Sequence, residues 1–213
     1  MSKTLYKVVK RVCDLFIAIS LWIILSPIFF LISIIIKITT KGPIFAPNCI
    51  RLYKFKPFFM YKFRTMNLNG EGVLEQNPDL KKILEIEHKI PLNEDIRVTK
   101  VGKFLRKTDL DEFPQLINVV LGNMSLIGPR PYMIWEIEKV FNGDDQQAKN
   151  DIRIIQQIKP GLTGLWQVSG RNNLSFEQRI KIDTMYIKNR GLWLDIKILF
   201  KTPLILINGS GRK

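Results

Sequence analysis

Twenty-two consecutive residues without a charge, Leu15 to Ile36 (LFIAISLWIILSPIFFLISIII), constrain this chain more than any other feature. As a straight helix the run measures about 33 Å, enough to cross a hydrocarbon core of about 30 Å. Ser26 and Pro27 interrupt its middle. The proline removes a backbone donor and frees the carbonyl of Ile23, which the Ser26 hydroxyl or a neighbour must satisfy. Each half covers only about 14 to 17 Å, half a bilayer. Lys3, Lys7, Lys10 and Arg11 precede the run, and Lys37, Lys41, Arg51, Lys54, Lys56, Lys62 and Arg64 follow it, so both flanks favour the cytoplasmic face. A re-entrant helix that bends at Ser26-Pro27 and returns from one leaflet meets both constraints. A Pro-kinked single span is the competing reading, because long domains override flank charge. No small-x-small site follows the run, which argues against a cleaved signal peptide.

Charge sharpens the division of the chain. Lys and Arg number 33 against 19 Asp and Glu, a formal +14, and residues 1 to 64 carry eleven basic residues against the single Asp14. Such a chain suits nucleic acid, anionic lipid or phosphorylated small molecules. The organisation that follows is a membrane helix with basic flanks over 1–41 and a membrane-associated cytosolic domain over 42–213. Cys13 and Cys49 have neither metal-ligand nor disulfide spacing and read as free thiols in a reducing compartment. His88, the one histidine, sits in KKILEIEHK on a solvated helix face, so chemistry that needs a histidine has no good candidate.

Beyond Gly42 the pattern changes to short strands. Pro43 to Ala46 is one, and Phe58 to Met66 alternates Phe59, Tyr61 and Phe63 with Lys62 and Arg64. Lys62 and Arg64 read either as a phosphate clamp or as a solvated basic face. Residues 67–95 form a polar excursion with a helix from Asn77-Pro78 to about Lys89. Thr99 caps a helix with Val101, Phe104 and Leu105 on one face and Lys103, Arg106 and Lys107 on the other. Further helices are expected over 132–141, 146–157 and 175–189. Gly164 and Gly170 let the backbone approach a ligand around Trp166, Gln167 and Arg171. GLWLDIKILFKTPLILI sets Leu, Trp, Ile and Phe against Asp195, Lys197 and Lys201, the pattern of an interfacial helix.

The densest chemistry lies in Arg106 to Pro131, RKTDLDEFPQLINVVLGNMSLIGPRP. Leu110, Phe113, Leu116, Ile117, Val120 and Leu121 recur at helical spacing, which leaves Asp111, Glu112 and Gln115 on another face. Thr108 or Asp109 can cap this helix and Gly122 can end it. Acids in a first turn are explained by the helix dipole alone. Arg106 and Lys107 before them, and the rigid Gly128-Pro129-Arg130-Pro131 after them, favour a phosphate-handling site.

With these residues in view, the chain resembles the bacterial sugar transferases, the monotopic phosphoglycosyl transferases that begin glycan assembly on a polyprenyl phosphate. The resemblance rests on Ser26-Pro27 in the apolar run, YKFRTM at 61–66, IRVTKVGKFLRKTDLDEFPQLINVVLGNMSLIGPRP at 96–131 and KPGLTGLWQVSGRN at 159–172. It implies an α+β fold, mainly α with a small β-hairpin, a re-entrant membrane helix and interfacial amphipathic helices. It also implies a nucleotide-sugar donor such as a UDP-sugar, undecaprenyl phosphate as acceptor and Mg2+ as cofactor. Placement would be on inner-leaflet lipid at the cytosolic face of a bacterial inner membrane, with downstream glycosyl transferases as possible partners and no nucleic acid. By position Asp111 would be the nucleophile and Glu112 its acidic, metal-binding partner. Lys62, Arg64, Arg106 and Arg130 would meet phosphates, and Trp166, Gln167 and Arg171 the nucleotide or sugar. Specificity would lie in 67–95 and 159–172. The family's Arg-x-Gly-x-x-Gly turn is replaced here by Ile50-Arg51-Leu52-Tyr53-Lys54-Phe55, with Arg51 beside the missing arginine's place. Larger members carry further spans ahead of this core, and the present chain resembles the minimal form. Three rival functions remain: a membrane-surface adaptor, a membrane-anchored nucleic-acid binder, and a glycosyl transferase that releases nucleoside diphosphate.

Overall fold

The computed structural model describes residues 2–87 and 90–208; His88 lies outside them. The chain opens with helix α1, Lys3–Thr39, which Ser2 caps by accepting from Leu5 N–H. At 37 residues it is about 55 Å long. The helix runs on through Pro27, and the Ser26 hydroxyl donates to the orphaned Ile23 carbonyl at 2.8 Å, as the sequence implies. It is long and apolar enough to cross a membrane. Yet polar contacts tie it to the rest of the molecule near both ends. Tyr6 donates to Asp195 at 2.9 Å, and Arg11 to the carbonyls of Val119 and Val120. Asp14 accepts from Ser125 at 2.6 Å. At the far end Arg64 donates to Thr40 and Lys41, and between them Phe29 packs edge-on against Phe63.

The hairpin β1 (Ile50–Tyr53) and β2 (Lys56–Phe59) pairs antiparallel, Ile50 opposite Phe59. Its turn residues, Lys54 and Phe55, both take positive φ, 54° and 57°, a conformation that usually calls for Asn-Gly. Tertiary contacts hold it: Lys54 N–H donates to the Gln156 carbonyl, Phe55 N–H to the Gln156 side chain, and the Phe55 ring meets Phe141. The strand expected over 58–66 is therefore shared between β2 and an extended segment that bridges Phe63 to Phe45 and Met66 to Val98.

Helices α2 (Gly70–Glu75) and α3 (Pro78–Glu87) fill the polar excursion. Helix α4, Lys100–Thr108, is capped by Thr99 as expected, but Phe104 on it is 60% exposed rather than packed inward. A 3-10 helix, Leu110–Gln115, and helix α5, Leu116–Leu121, come next. Then follow β3 (Ser125–Ile127), α6 (Ile134–Asn142), α7 (Gln146–Ile155), β4 (Gly161–Thr163) and α8 (Leu165–Ser169). The chain ends in α9 (Phe176–Asn189) and α10 (Leu192–Asn208). The pair β3/β4 is parallel, Ser125 opposite Gly161 and Ile127 opposite Thr163. No alternation announces it, because three residues per strand are too few. What allows it is glycine: a Cβ at Gly161 would run into the Gly128 backbone.

The main core joins Ala18, Phe29, Ile32 and Ile36 of α1 to Phe63, Leu105, Leu116, Val119, Leu126 and Ile198. A second cluster, Tyr132, Ile137, Ile152, Ile155 and Ile180, holds α6, α7 and α9 together. Helix α10 differs from its expected polarity. Asp195 is buried, accepting from Tyr6 and Tyr186 and pairing with Lys10 at 3.0 Å, while Trp193, Ile196, Phe200 and Leu204 are exposed. Cys13 and Cys49 are free thiols.

Candidate active site

The segment from Leu110 to Leu121 reads as one helix, but it is two. Asp109 ends α4 in a left-handed conformation, φ 56°, and Pro114, without an N–H, sits inside a tighter 3-10 turn before α5 begins. Neither expected cap is used. The Thr108 hydroxyl donates back to Phe104 and Leu105 carbonyls, and the Asp109 side chain makes no cap bond. Six residues at three per turn rotate the face by about 120° relative to an α-helix. Hence Gln115, Asn118 and Val119 are buried while Val120 and Leu121 are exposed, against the helical-wheel expectation. Gly122, at φ 87°, does end the helix.

That geometry fixes the acidic pair. The Asp111 carbonyl accepts from Phe63 N–H at 2.9 Å. The Asn118 side chain accepts from Tyr61 N–H and donates to the Phe59 carbonyl. On its other edge the same segment bonds Ile44 and Ala46 through Arg64 N–H and the Lys62 carbonyl. So clamped, it sets Lys62 Nζ 2.5 Å from Glu112 Oε1. Asp111 is buried at 8% exposure. Burial pushes its carboxyl up to about 7, against the pull of Lys62; Glu112 raises it further and Arg106 lowers it. Lys62 itself is pulled down by burial, but Glu112 and Asp111 outweigh this and hold it above its usual range.

A cavity of about 500 Å³ lies beside this pair, lined by Ile17 and Leu21 of α1, Glu112 and Phe113, and Leu199 and Pro203 of α10. Trp166, Gln167 and Arg171 line it as well. Arg171 reaches it through a 2.9 Å bond from Nη2 to Asp109, a pairing across 62 residues that no local pattern reveals. Trp166 Nε1, Gln167 Oε1 and Arg171 Nη1 are buried with no partner among the described residues. Buried polar atoms are costly unless something satisfies them, so three around one cavity mark a place for a polar ligand.

The other nominated cations stand elsewhere. Arg106 donates from Nε to Thr65 at 2.9 Å and acts on Asp111 through charge. Arg64 spends its guanidinium on the carbonyls and hydroxyl at the end of α1. Arg130 pairs with Glu136 at 2.5 Å and lies over the rings of Tyr132 and Trp166, one ring away from the cavity. Arg179 lies over the same Trp166 ring. Asp183 accepts from Arg130 N–H and the Tyr132 hydroxyl. Neither Arg179 nor Asp183 is nominated by sequence. For Asp183 the signal is a carboxylate on the apolar stripe of Phe176, Ile180 and Tyr186. Among the described residues no three His, Cys, Asp or Glu side chains converge. Any divalent cation here would rest on one or two carboxylates and complete its shell with water or phosphate, which is the habit of magnesium.

The model of the bacterial sugar transferase family matches residues 5–209. The chain is 39% identical to an undecaprenyl-phosphate galactose phosphotransferase of Salmonella typhimurium over 99% of its own length and 43% of the relative's. It is 42% identical to the exopolysaccharide production protein ExoY of Sinorhizobium fredii, over 91% of this chain and 83% of ExoY. With a UDP-glucose:undecaprenyl-phosphate glucose-1-phosphate transferase of Klebsiella pneumoniae it shares 36% identity over 92% of its length and 39% of that protein. The chain thus spans less than half the length of the Salmonella and Klebsiella relatives.

Proposed function

The chain belongs to the bacterial sugar transferase family, and we propose that it moves a sugar 1-phosphate from a UDP-sugar to undecaprenyl phosphate through a covalent intermediate on Asp111. The observation that carries this reading is the placement of a buried Asp111 next to Glu112, which pairs with Lys62 and lines a cavity walled by the two most apolar helices. A charged headgroup and an apolar tail need such a meeting point.

Asp111 attacks the donor phosphorus that bears the sugar. The bond from that phosphorus to the bridging oxygen breaks, UMP leaves, and the sugar phosphate remains on Asp111 as an acyl phosphate. An oxygen of the lipid phosphate then attacks the same phosphorus and returns the free carboxylate. Lys62 keeps Asp111 closer to its ionised form, and Arg171, through Nη1, offers a donor to a ligand in the cavity. Glu112, with Asp111 beside it, would hold magnesium, which when bound offsets the negative charge that would otherwise repel the nucleophile. The contacts near both ends of α1 support a helix that re-enters one leaflet, with the catalytic domain at the cytosolic face.

The test is the identity of the nucleotide released from a UDP-sugar with magnesium and undecaprenyl phosphate. UMP is expected. Release of UDP would make this an ordinary glycosyl transferase, and no release with any UDP-sugar tried would favour a noncatalytic adaptor.

A further inference from the structure

A second cavity, about 370 Å³, lies on the other side of β3. Leu126 lines the first cavity, whereas its neighbours Ser125 and Ile127 line the second, so the strand separates them. Its wall carries Lys7, Lys10, Arg11, Lys54, Lys159 and Arg190 against the carboxylate of Asp14. Two of these cations are spent inside the protein: Lys10 pairs with Asp195 and Asp14, and Arg11 donates to Val119 and Val120. Among the described residues no carboxylate pairs with Lys7, Lys54, Lys159 or Arg190. Arg11 Nη2 and Lys159 Nζ crowd one spot, since a methyl at Gly122 would lie 3.5 Å from each. Burial, then the charge of Arg11, lowers the pKa of Lys159, with Lys54 adding to it and Asp14 opposing it. Like charges gathered in a partly enclosed space are stabilised by an anion.

The position of the cavity selects the anion. Lys7, Lys10 and Arg11 occupy the turns of α1 just before its apolar run, and Val8, Val12 and Phe16 in the same turns are exposed. Cations beside exposed apolar side chains match the headgroup layer of a bilayer. We propose that this cavity binds the phosphate of an anionic phospholipid headgroup through Lys7, Lys54, Lys159 and Arg190, separately from the cavity beside Asp111 and Glu112.

The experiment uses the full chain in mixed micelles of phosphatidylcholine and phosphatidylglycerol, with retained lipid counted by native mass spectrometry. Wild type is expected to retain phosphatidylglycerol preferentially. The double variant Lys54→Ala/Lys159→Ala should lose about tenfold of that preference, as expected of charge-assisted contacts. The charge-matched control Lys81→Ala/Lys82→Ala, on an exposed face of α3, should lose much less. Equal loss in both, or loss in neither, would overturn the proposal. Lys7→Gln, at an exposed position that leaves folding intact, should lose about twofold, and an unchanged preference would also count against it. Excess inorganic phosphate should leave the lipid bound; complete displacement would mean a free-phosphate site and overturn the lipid assignment.

Discussion

A nucleophilic carboxylate must be ionised to attack, and Asp111 is raised to about 7 chiefly by its burial. In the free enzyme log kcat/KM should therefore rise with pH at a slope of one below about pH 7 and level off above it. Lys62 opposes the rise, so Lys62→Met should move the inflection to higher pH and lower the rate below it by about tenfold per unit of displacement. A flat profile over pH 5 to 8 would contradict the assignment. Arg130 and Lys197 separate a buried charge from a surface one. Arg130→Ala leaves Glu136, 4% exposed, without its cation and should cost about 3–5 kcal/mol in denaturant unfolding. Lys197→Ala removes only a cation over the exposed Trp193 ring and should cost less than about 1 kcal/mol. At this scale the sequence brings the adjacent acids into view, because carboxylates between basic and Pro-rich segments are visible as residue types, and the structure sets Lys62 against Glu112. It does not name Asp109 with Arg171, or Asp183 with Arg130, because such pairs form only when segments distant in sequence pack together.

Elements set the positions of these residues through backbone contacts that periodicity does not carry. The helices of the second half are legible because caps and 3.6-residue spacing repeat over several turns; Ser175 caps α9 with a capping box as its sequence suggests. The switch from 3-10 to α-helix after Pro114 is not legible, and it reverses which of Gln115, Val119 and Val120 is buried. The β1/β2 turn also escapes sequence rules, since Gln156 rather than glycine secures it. Helix α4 tests how tightly the Lys62 segment is held. A Cβ at Gly102 would strike the Thr65 carbonyl, to which Thr99 N–H also donates. Gly102→Ala should cost about 1–3 kcal/mol of stability in denaturant unfolding and depress activity beyond the loss of folded protein. Full stability and activity would mean that α4 can move away without disturbing the site.

Across the whole molecule, α1 is long and apolar enough to cross a membrane and also contributes to the core, a double character that composition cannot show because either role needs the same apolar residues. Its two ends are bonded to the body that carries Asp111, so the proposed orientation places Ser2 and Asn67 on the cytoplasmic side. Cysteines introduced at either position should resist labelling from outside intact cells, and labelling at position 2 would favour a full span. Pro27→Ala together with Arg64→Met, which releases the end of α1, should move more of the population to a full span than Pro27→Ala alone. Whether a sugar phosphate is carried on Asp111 is read from the intact mass of the enzyme after incubation with a UDP-sugar and magnesium and no acceptor lipid. The expected mass increase is one sugar phosphate, lost on hydroxylamine treatment and absent in folded Asp111→Asn. An adduct that survives in Asp111→Asn, or UMP release that strictly requires the lipid, would contradict it.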